Sequence, residues 1–123
     1  MAPEEIERAR KILPIVSVQN QYNIVDRDWE RTLLYCEKEG LGFMPWSPIG
    51  GGRGLKSGAA LEAVAKAHHA TVFQVALAWL LQRSPVMLPI PGTSSVAHLE
   101  ENLSAAQITL TASDLAELDG LGE

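Results

Sequence analysis

The chain has 123 residues, which at the usual size of about 100–200 residues per domain is one domain or part of one. It contains 46% hydrophobic residues, enough to build a core, and 10 Lys plus Arg against 15 Asp plus Glu, for a net charge of −5. This acidic balance, without a run of basic residues, excludes an electrostatic surface for nucleic acid or anionic lipid. Because no apolar run could span a bilayer and the N-terminus is charged, we expect a soluble cytoplasmic protein.

Short apolar runs alternate three times with amphipathic stretches, a pattern typical of βαβ units on a parallel sheet. The first half is expected to hold a helix, a strand, a second helix and a second strand, over residues 4–11, 15–18, about 29–39 and 42–46. Asp26 or Asp28 is suited to cap the second helix, and Gly40 is placed to end it. Cys36, the single cysteine, is expected to be buried on that helix.

The second half opens with glycines at 50, 51, 52 and 54, which predict a flexible loop. Two helices should follow, the second of them capped by Thr71 and Gln74 and ended by Pro85. A third strand is predicted over 86–90, with a short ladder because Pro89 lacks an N–H group. A turn then leads into a helix over 96–104 that turns Leu99 and Leu103 inward, and a last short helix follows residues 111–114.

Three strand exits are candidate ligand positions, since loops after parallel strands meet on one rim of the sheet. They are Gln19-Asn20, Trp46-Ser47 with the glycine-rich loop, and residues 91–95. The last two suit a phosphate group, because glycines let backbone N–H groups approach an anion and a helix N-terminus follows. The glycine-rich stretch matches neither GxGxxG nor GxxxxGK[ST], and a loop of this composition is by itself more often a plain flexible connection than a phosphate site.

The histidines differ in their prospects. His68 and His69 are neighbours near a helix end, where a solvated position is favoured over a shared metal site. His98 lies in the first turn after residues 91–95 and could either contact an anion or simply face solvent. The sequence contains no GxSxG, no HExxH and no paired carboxylates at a strand exit, so hydrolase chemistry has no residues to carry it.

Five segments in fixed order carry a family pattern: VSVQNQYN, GFMPWSPIGGG, ALAWLLQR, LPIPGTSSVAHLEENLSA and LTASDLAEL. Together they closely resemble the carboxyl-terminal part of the aldo-keto reductases, NAD(P)H-dependent oxidoreductases built on a (β/α)₈ barrel. The resemblance covers essentially the whole chain, from the helix after barrel strand five to the tail. It implies an α/β fold that is a partial TIM barrel, with about three parallel strands and flanking helices, and makes residues 1–123 a single cofactor-binding unit.

The resemblance also assigns cofactor contacts by position. Gln19 is similar to the residue that hydrogen-bonds the nicotinamide carboxamide, and Trp46 to the aromatic ring that stacks on the nicotinamide. The other implied contacts are Ser47, Ile49 and Gly50 at the pyrophosphate, Gly92, Thr93 and Ser94 at the adenosine ribose and 2′-phosphate, and Glu101 and Asn102 at the adenine. Many members have Lys where this chain has Gly92 and Arg where it has His98. The family implies NADP(H) as the cofactor, and these two departures weaken the expected grip on the 2′-phosphate, which makes NAD(H) the alternative.

The family's catalytic Asp, Tyr, Lys and His come from strands before Met1, and neither Tyr22 nor Tyr35 stands at the matching position. The resemblance thus implies an oxidoreductase of aldehydes and ketones in which this chain is a cofactor-binding fragment, inactive without a partner that supplies an N-terminal barrel portion. One alternative is a binding or assembly module that self-associates through open sheet edges. Another is a small flavodoxin-like domain for a different phosphate ligand, which the order of the motifs disfavours.

Overall fold

The computed structural model describes residues 1–50 and 58–122, so the predicted glycines at 51, 52 and 54 lie outside the described residues. Helices and strands alternate as predicted in the first half and give way to helices in the second. The elements are α1 (Pro3–Arg10), β1 (Ser17–Gln21), α2 (Glu30–Glu39), β2 (Gly42–Trp46), α3 (Ala59–Ala67), α4 (Val72–Arg83), α5 (Val96–Ser104) and α6 (Ala112–Asp119), with 3₁₀ turns at Ala105–Gln107 and Gly120–Gly122.

The strands β1 and β2 pair in parallel, in a register that runs from Ser17 opposite Gly42 to Gln21 opposite Trp46. The prediction for β2 is confirmed to the residue, whereas β1 begins two residues later than expected and extends through the polar residues 19–21. Gln19 and Gln21 point to the open face of the sheet, whereas Asn20 is buried on the other face, where its carboxamide hydrogen-bonds to Met1.

The predicted third strand over 86–90 does not form a full strand, although the short ladder expected for it is confirmed. Among the described residues, its segment makes a single parallel bridge, Met87 with Phe43, in which the Phe43 N–H donates to Val86 O and the Leu88 N–H to Phe43 O, each at 2.8 Å. In this register the next donor would be the N–H of Pro45, which does not exist. Pro45 on β2 therefore stops the ladder, while the nitrogen of Pro89 faces away from β2.

The core lies between the sheet and the helices. It is built around large side chains with no more than 1% exposure from four different elements or their exits: Tyr22, Leu33, Phe43 and Trp79. The Tyr22 ring stacks on Trp79 with centroids 6.1 Å apart and meets Phe43 edge-on at 5.7 Å. These contacts bury the helix-side face of both strands and fix the sheet that positions the candidate site.

Helix ends follow the predicted signals in most places. Gly40 adopts a left-handed φ of +69° after α2, and the Thr71 hydroxyl accepts from the Gln74 N–H at 3.2 Å to begin α4. The prediction that Asp26 or Asp28 caps α2 is wrong. The N-cap position falls on Trp29, which makes no side-chain capping hydrogen bond. Cys36 is a free, fully buried thiol, as expected, and burial raises its pKa.

The C-terminal helices depart from the sequence prediction in two ways. Leu99 and Leu103 of α5 do not face inward: they are 47% and 67% exposed. His68 is not simply a solvated residue, since its Nε2 lies 2.7 Å from Asp114 Oδ2 and connects the end of α3 to the start of α6. His69 is exposed, as expected. No helix within 1–50 and 58–122 is long and apolar enough to cross a membrane.

Candidate functional site

One face of the β1–β2 sheet is open. The side chains of Ser17, Gln19 and Trp46 are exposed on it and that of Met44 is half-buried, while Val18 and Phe43 on the opposite face are buried. Gln19 pairs with Met44 in the strand register, and Gln21 with Trp46. Gln19 and Trp46, the two residues expected to meet a nicotinamide, therefore share this face. Trp46 lies two positions beyond Met44, the residue that pairs with Gln19.

A tight turn follows Trp46 directly. Ser47 has a φ of +53° and Gly50 a φ of +64°, and the Gly50 N–H donates to Ser47 O at 3.0 Å. A positive φ is ordinary for glycine but disfavoured for serine, whose Cβ crowds the neighbouring carbonyl oxygen. The turn carries Ser47, Ile49 and Gly50, the predicted pyrophosphate contacts, away from the sheet.

A cleft of about 400 Å³ lies between this turn, the start of α4 and the first turns of α5. Six of the eleven predicted site residues line it: Ile49, Gly92, Thr93, His98, Glu101 and Asn102. The structure thus gathers residues that are more than 50 positions apart in the sequence. Ser47, Gly50 and Ser94 are not among its lining residues, and Gln19 and Trp46 belong to the open face of the sheet.

Two further lining residues, Thr71 and Phe73, were missed by the sequence analysis. Both belong to the N-terminal end of α4, where Phe73 is 37% exposed despite its apolar ring. An exposed aromatic residue in the first turn of an otherwise well-buried helix was the signal that could have identified this wall of the cleft.

Gln74 holds the two helical walls of the cleft together. Its Nε2 donates to Glu101 O at 3.0 Å and to Ser104 Oγ at 2.9 Å, while its Oε1 accepts from the Thr71 N–H at 3.0 Å. Gln74 therefore completes the capping box of α4 and also forms the hydrogen bonds that orient α5. Side-chain bonds to backbone atoms fix geometry at little entropic cost when the side chain is already ordered.

The turn before α5 is closed by its own hydroxyls. Thr93 Oγ1 accepts from the Ser95 N–H at 3.1 Å and donates to Ser95 O at 3.3 Å, and Ser95 Oγ accepts from the His98 N–H at 3.3 Å. Since the Thr93 hydroxyl proton is used within the turn, this hydroxyl can offer a ligand only an acceptor. In the described lining, His98, Asn102 and backbone N–H groups can supply donors to a phosphate.

The described lining of the cleft includes two titratable side chains, His98 and Glu101, and no lysine or arginine. The polar groups of this described lining can hydrogen-bond a ligand. A neutral imidazole has one donor and one acceptor, and only its protonated form adds positive charge.

The tyrosines are structural. Tyr22 is fully buried on the helix side of the sheet and donates its hydroxyl proton to Glu30, which also pairs with Arg83. Burial is the main reason that the pKa of Tyr22 is raised, which keeps the phenol neutral. Tyr35 accepts from Arg10 at 3.1 Å on the helical surface. Neither phenol is placed to protonate a substrate at the open face.

A sequence model of the Aldo/keto reductase family matches residues 1–123. The chain belongs to the aldo-keto reductase family. Two curated relatives extend the match: an uncharacterized oxidoreductase of Schizosaccharomyces pombe is 50% identical over 120 residues, and pyridoxine 4-dehydrogenase of Escherichia coli is 47% identical over 121 residues. Each match covers 98% of this chain but only 39% and 42% of the relative. The chain thus spans about two fifths of the length of these aldo-keto reductases.

Solved structures agree with this assignment. A thermostable aldo-keto reductase in complex with the inhibitor epalrestat superposes with a TM-score of 0.89 at 40% identity, over 99% of this chain and 46% of that one. A Klebsiella pneumoniae aldo-keto reductase in complex with NADPH superposes with a TM-score of 0.87 at 31% identity, over 98% and 45%. The expected fold, part of a (β/α)₈ barrel, is confirmed, and the described part of the chain has two strands and one bridged segment in place of three strands.

Proposed function

We propose that residues 1–123 bind the nicotinamide dinucleotide of an aldo-keto reductase that reduces aldehydes or ketones. The observation that carries this proposal is the cleft, in which six family-implied contact residues meet although they come from three separate segments. The NADPH complex of the Klebsiella relative supports the choice of ligand class. Nicotinamide cofactors are typical of the family.

The residues present fit such a ligand. A volume of about 400 Å³ is in the range of small-molecule sites and is large enough for a nucleoside. A Cβ added at Gly92 would meet nothing within 4 Å, so the cleft is open at that point. We place the adenosine part between Phe73 and the polar residues Glu101 and Asn102, and the pyrophosphate along the backbone of residues 47–50.

The nicotinamide end would then lie on the open face of the sheet. The exposed Trp46 ring offers a flat surface for stacking, and the Gln19 carboxamide offers one donor and one acceptor to the matching groups of a nicotinamide amide. When bound, the cofactor supplies a hydride to a carbonyl carbon. These two side chains orient the ring that carries it.

His98 sets the expected choice between the two nicotinamide cofactors. His98 is the basic side chain of the described cleft lining, and an imidazole lacks the forked donors with which an arginine holds a 2′-phosphate. We therefore propose that both NADPH and NADH bind, with a smaller preference for NADPH than a forked arginine would give.

We further propose that residues 1–123 alone do not reduce a carbonyl substrate. The four catalytic side chains implied by the resemblance must come from a polypeptide segment that completes the barrel. Exposed apolar side chains beside α4 and α5 support such a partner, since they border an apolar cleft of about 320 Å³. They include Leu81, Leu99 and Leu103. Steady NADPH consumption by the pure chain with an aldehyde would contradict this proposal.

The same surface favours a second candidate function, that of a module which associates with further copies of itself. Open strand edges and exposed leucines are a common route to association. Light scattering decides between these alternatives: a monodisperse monomer contradicts self-association, whereas a dimer or larger species supports it.

Cofactor binding is tested by titrating the chain with NADPH and then NADH while following tryptophan fluorescence. Saturable quenching at micromolar cofactor, lost in Trp46→Ala and retained in Trp29→Phe, is the expected result. Trp29 is the matched control because it is half-buried at the N-cap of α2, on a different element. No response up to millimolar cofactor would overturn the proposal.

A further inference from the structure

Asn23 connects the exits of the two strands. It lies two residues after β1 and is only 2% exposed, yet its carboxamide makes three hydrogen bonds to backbone atoms. Its Oδ1 accepts from the N–H groups of Val25 at 3.0 Å and Asp26 at 2.9 Å, which closes the turn after β1. Its Nδ2 donates to Ser47 O at 3.1 Å, in the turn after β2.

The backbone at Ser47, where this connection ends, is strained. A serine at a φ of +53° keeps that conformation only where its surroundings hold it. Its carbonyl oxygen accepts twice, from Asn23 Nδ2 and from the Gly50 N–H at 3.0 Å. A rotation of the peptide that follows Ser47 would break both bonds, so Asn23 and Gly50 together lock this peptide.

Trp46, the residue before the turn, is held by Tyr22, which directly precedes Asn23 in the chain. The Tyr22 N–H donates to the carbonyl oxygen of Trp46 at 3.3 Å, one position before Asn23 makes its own bond. Tyr22 and Asn23, the two residues that follow β1, therefore bond the carbonyl groups of Trp46 at the end of β2 and of Ser47 directly after it. The direction in which the Trp46 ring leaves the sheet depends on this pair of contacts.

We propose that Asn23 is a positioning residue for cofactor binding: it holds the turn of residues 46–50 so that the Trp46 ring and the turn's backbone N–H groups face the dinucleotide. This inference rests on the proposed function. Asn23 does not touch the ligand itself, since its side chain is buried beneath the turn.

The test uses Asn23→Asp, which keeps an acceptor for Val25 and Asp26 but replaces the donor to Ser47 O with an oxygen that repels it. Asn20→Asp is the matched control. Asn20 is also buried, at 4% exposure, but it lies within β1 on the face opposite Gln19, and its carboxamide bonds only to Met1 among the described residues, at 2.8 and 3.1 Å.

Two readouts are measured on the folded variants. We expect the Gly50 amide to exchange with deuterium about tenfold faster in Asn23→Asp, with no change at Met44 in the ladder. We expect the NADPH Kd to rise about tenfold in the same variant, the loss of roughly one well-formed hydrogen bond to a held group. In Asn20→Asp, both the Gly50 exchange rate and the Kd should stay within twofold of the original chain.

Unchanged exchange at Gly50 in Asn23→Asp would overturn the inference, as would faster exchange with an unchanged Kd. If the original chain binds no NADPH, the proposed function fails, and Gly50 exchange still decides whether Asn23 holds the turn. Should Asn23→Asp not fold, Asn23→Ser replaces it with the same expectations, because a serine hydroxyl keeps an acceptor for the first turn and cannot reach Ser47.

Discussion

The two faces of the β1–β2 sheet are made by alternate residues of the same strands, yet they have opposite character. On the helix side, Val18 and Phe43 are at most 5% exposed and join one continuous core. On the other side, Gln19 and Trp46 are exposed and form the proposed nicotinamide surface. The period of two along a strand lets one segment supply both stability and binding, and it lets the two properties be changed separately.

The largest expected effect comes from the core face. Phe43→Ala should lower the free energy of unfolding by about 3–5 kcal/mol, because it leaves a cavity beside Tyr22 and Trp79. Its matched control is Met44→Ala, one residue along on the open face, which should cost less than about 1 kcal/mol. Urea denaturation measures both changes. Equal losses would show that the open face is packed as tightly as the core face.

Arg27 offers the next largest effect, because it joins the loop after β1 to the end of α6. Its guanidinium donates to Asp119 O at 2.7 Å and Leu118 O at 3.0 Å and lies 4.5 Å from the centroid of the Trp79 ring. Arg27→Ala should cost about 2 kcal/mol and release α6 to proteolysis.

The surface arginine Arg31 is the control for that experiment. Its side chain is 73% exposed and pairs with Glu4, an exposed pair of the kind that contributes little. Arg31→Ala should therefore change the free energy of unfolding by no more than about 0.5 kcal/mol. A loss as large as that of Arg27→Ala would mean that overall charge, and not the contact with α6, determines the result.

A smaller, pH-dependent effect is expected at the start of α6. The hydrogen bond from His68, with a second from the Thr111 N–H, lowers the pKa of Asp114. A carboxyl group whose pKa is lower in the folded state stabilises the fold above its unfolded pKa of about 3.9, and this stability is lost as the pH falls through the folded value.

Asp114→Asn tests this expectation. The stability difference between the original chain and the variant should be constant from pH 6 to about 5 and should shrink as the pH falls below about 4. Asp28→Asn, at an exposed position in the loop before α2, provides the comparison. A difference that persists unchanged to pH 3 would show that the carboxylate of Asp114 adds no stability through its charge.

The smallest change in stability is expected on the open face itself. Trp46→Ala should alter the free energy of unfolding by no more than about 0.5 kcal/mol, since the ring is 44% exposed. The same substitution should abolish cofactor-dependent quenching. A loss of several kcal/mol would contradict the division between the faces, because it would make Trp46 a core residue.

Local signals were enough to predict the helices and β2. Thr71 with Gln74 marks the start of α4, and Gly40 marks the end of α2, because caps and left-handed turns depend on neighbouring residues only. The short pairing of residues 86–90 was predicted, but from the wrong proline, because the missing donor is on the neighbouring strand, at Pro45. Which rung a proline removes depends on the register.

The site was predicted less completely than the fold. Periodicity groups Leu99 and Leu103 on one face of α5 but does not say whether anything covers that face. The family resemblance supplied residues at the strand exits but missed Phe73, Gln74 and Asn23. The roles of Gln74 and Asn23 come from hydrogen bonds to residues 24 or more positions away in the sequence. Long-range bonds of this kind leave no local pattern.

The buried thiol of Cys36 can report how often α2 separates from the core. It is the single thiol in the sequence, it is completely inaccessible in α2, and its raised pKa further lowers the fraction of reactive thiolate. A thiol reagent can therefore modify it only when α2 separates from the core. The rate of modification under native conditions reports how often that opening occurs, without a mutation or an added label, and cofactor should slow it if binding tightens the sheet against the helices.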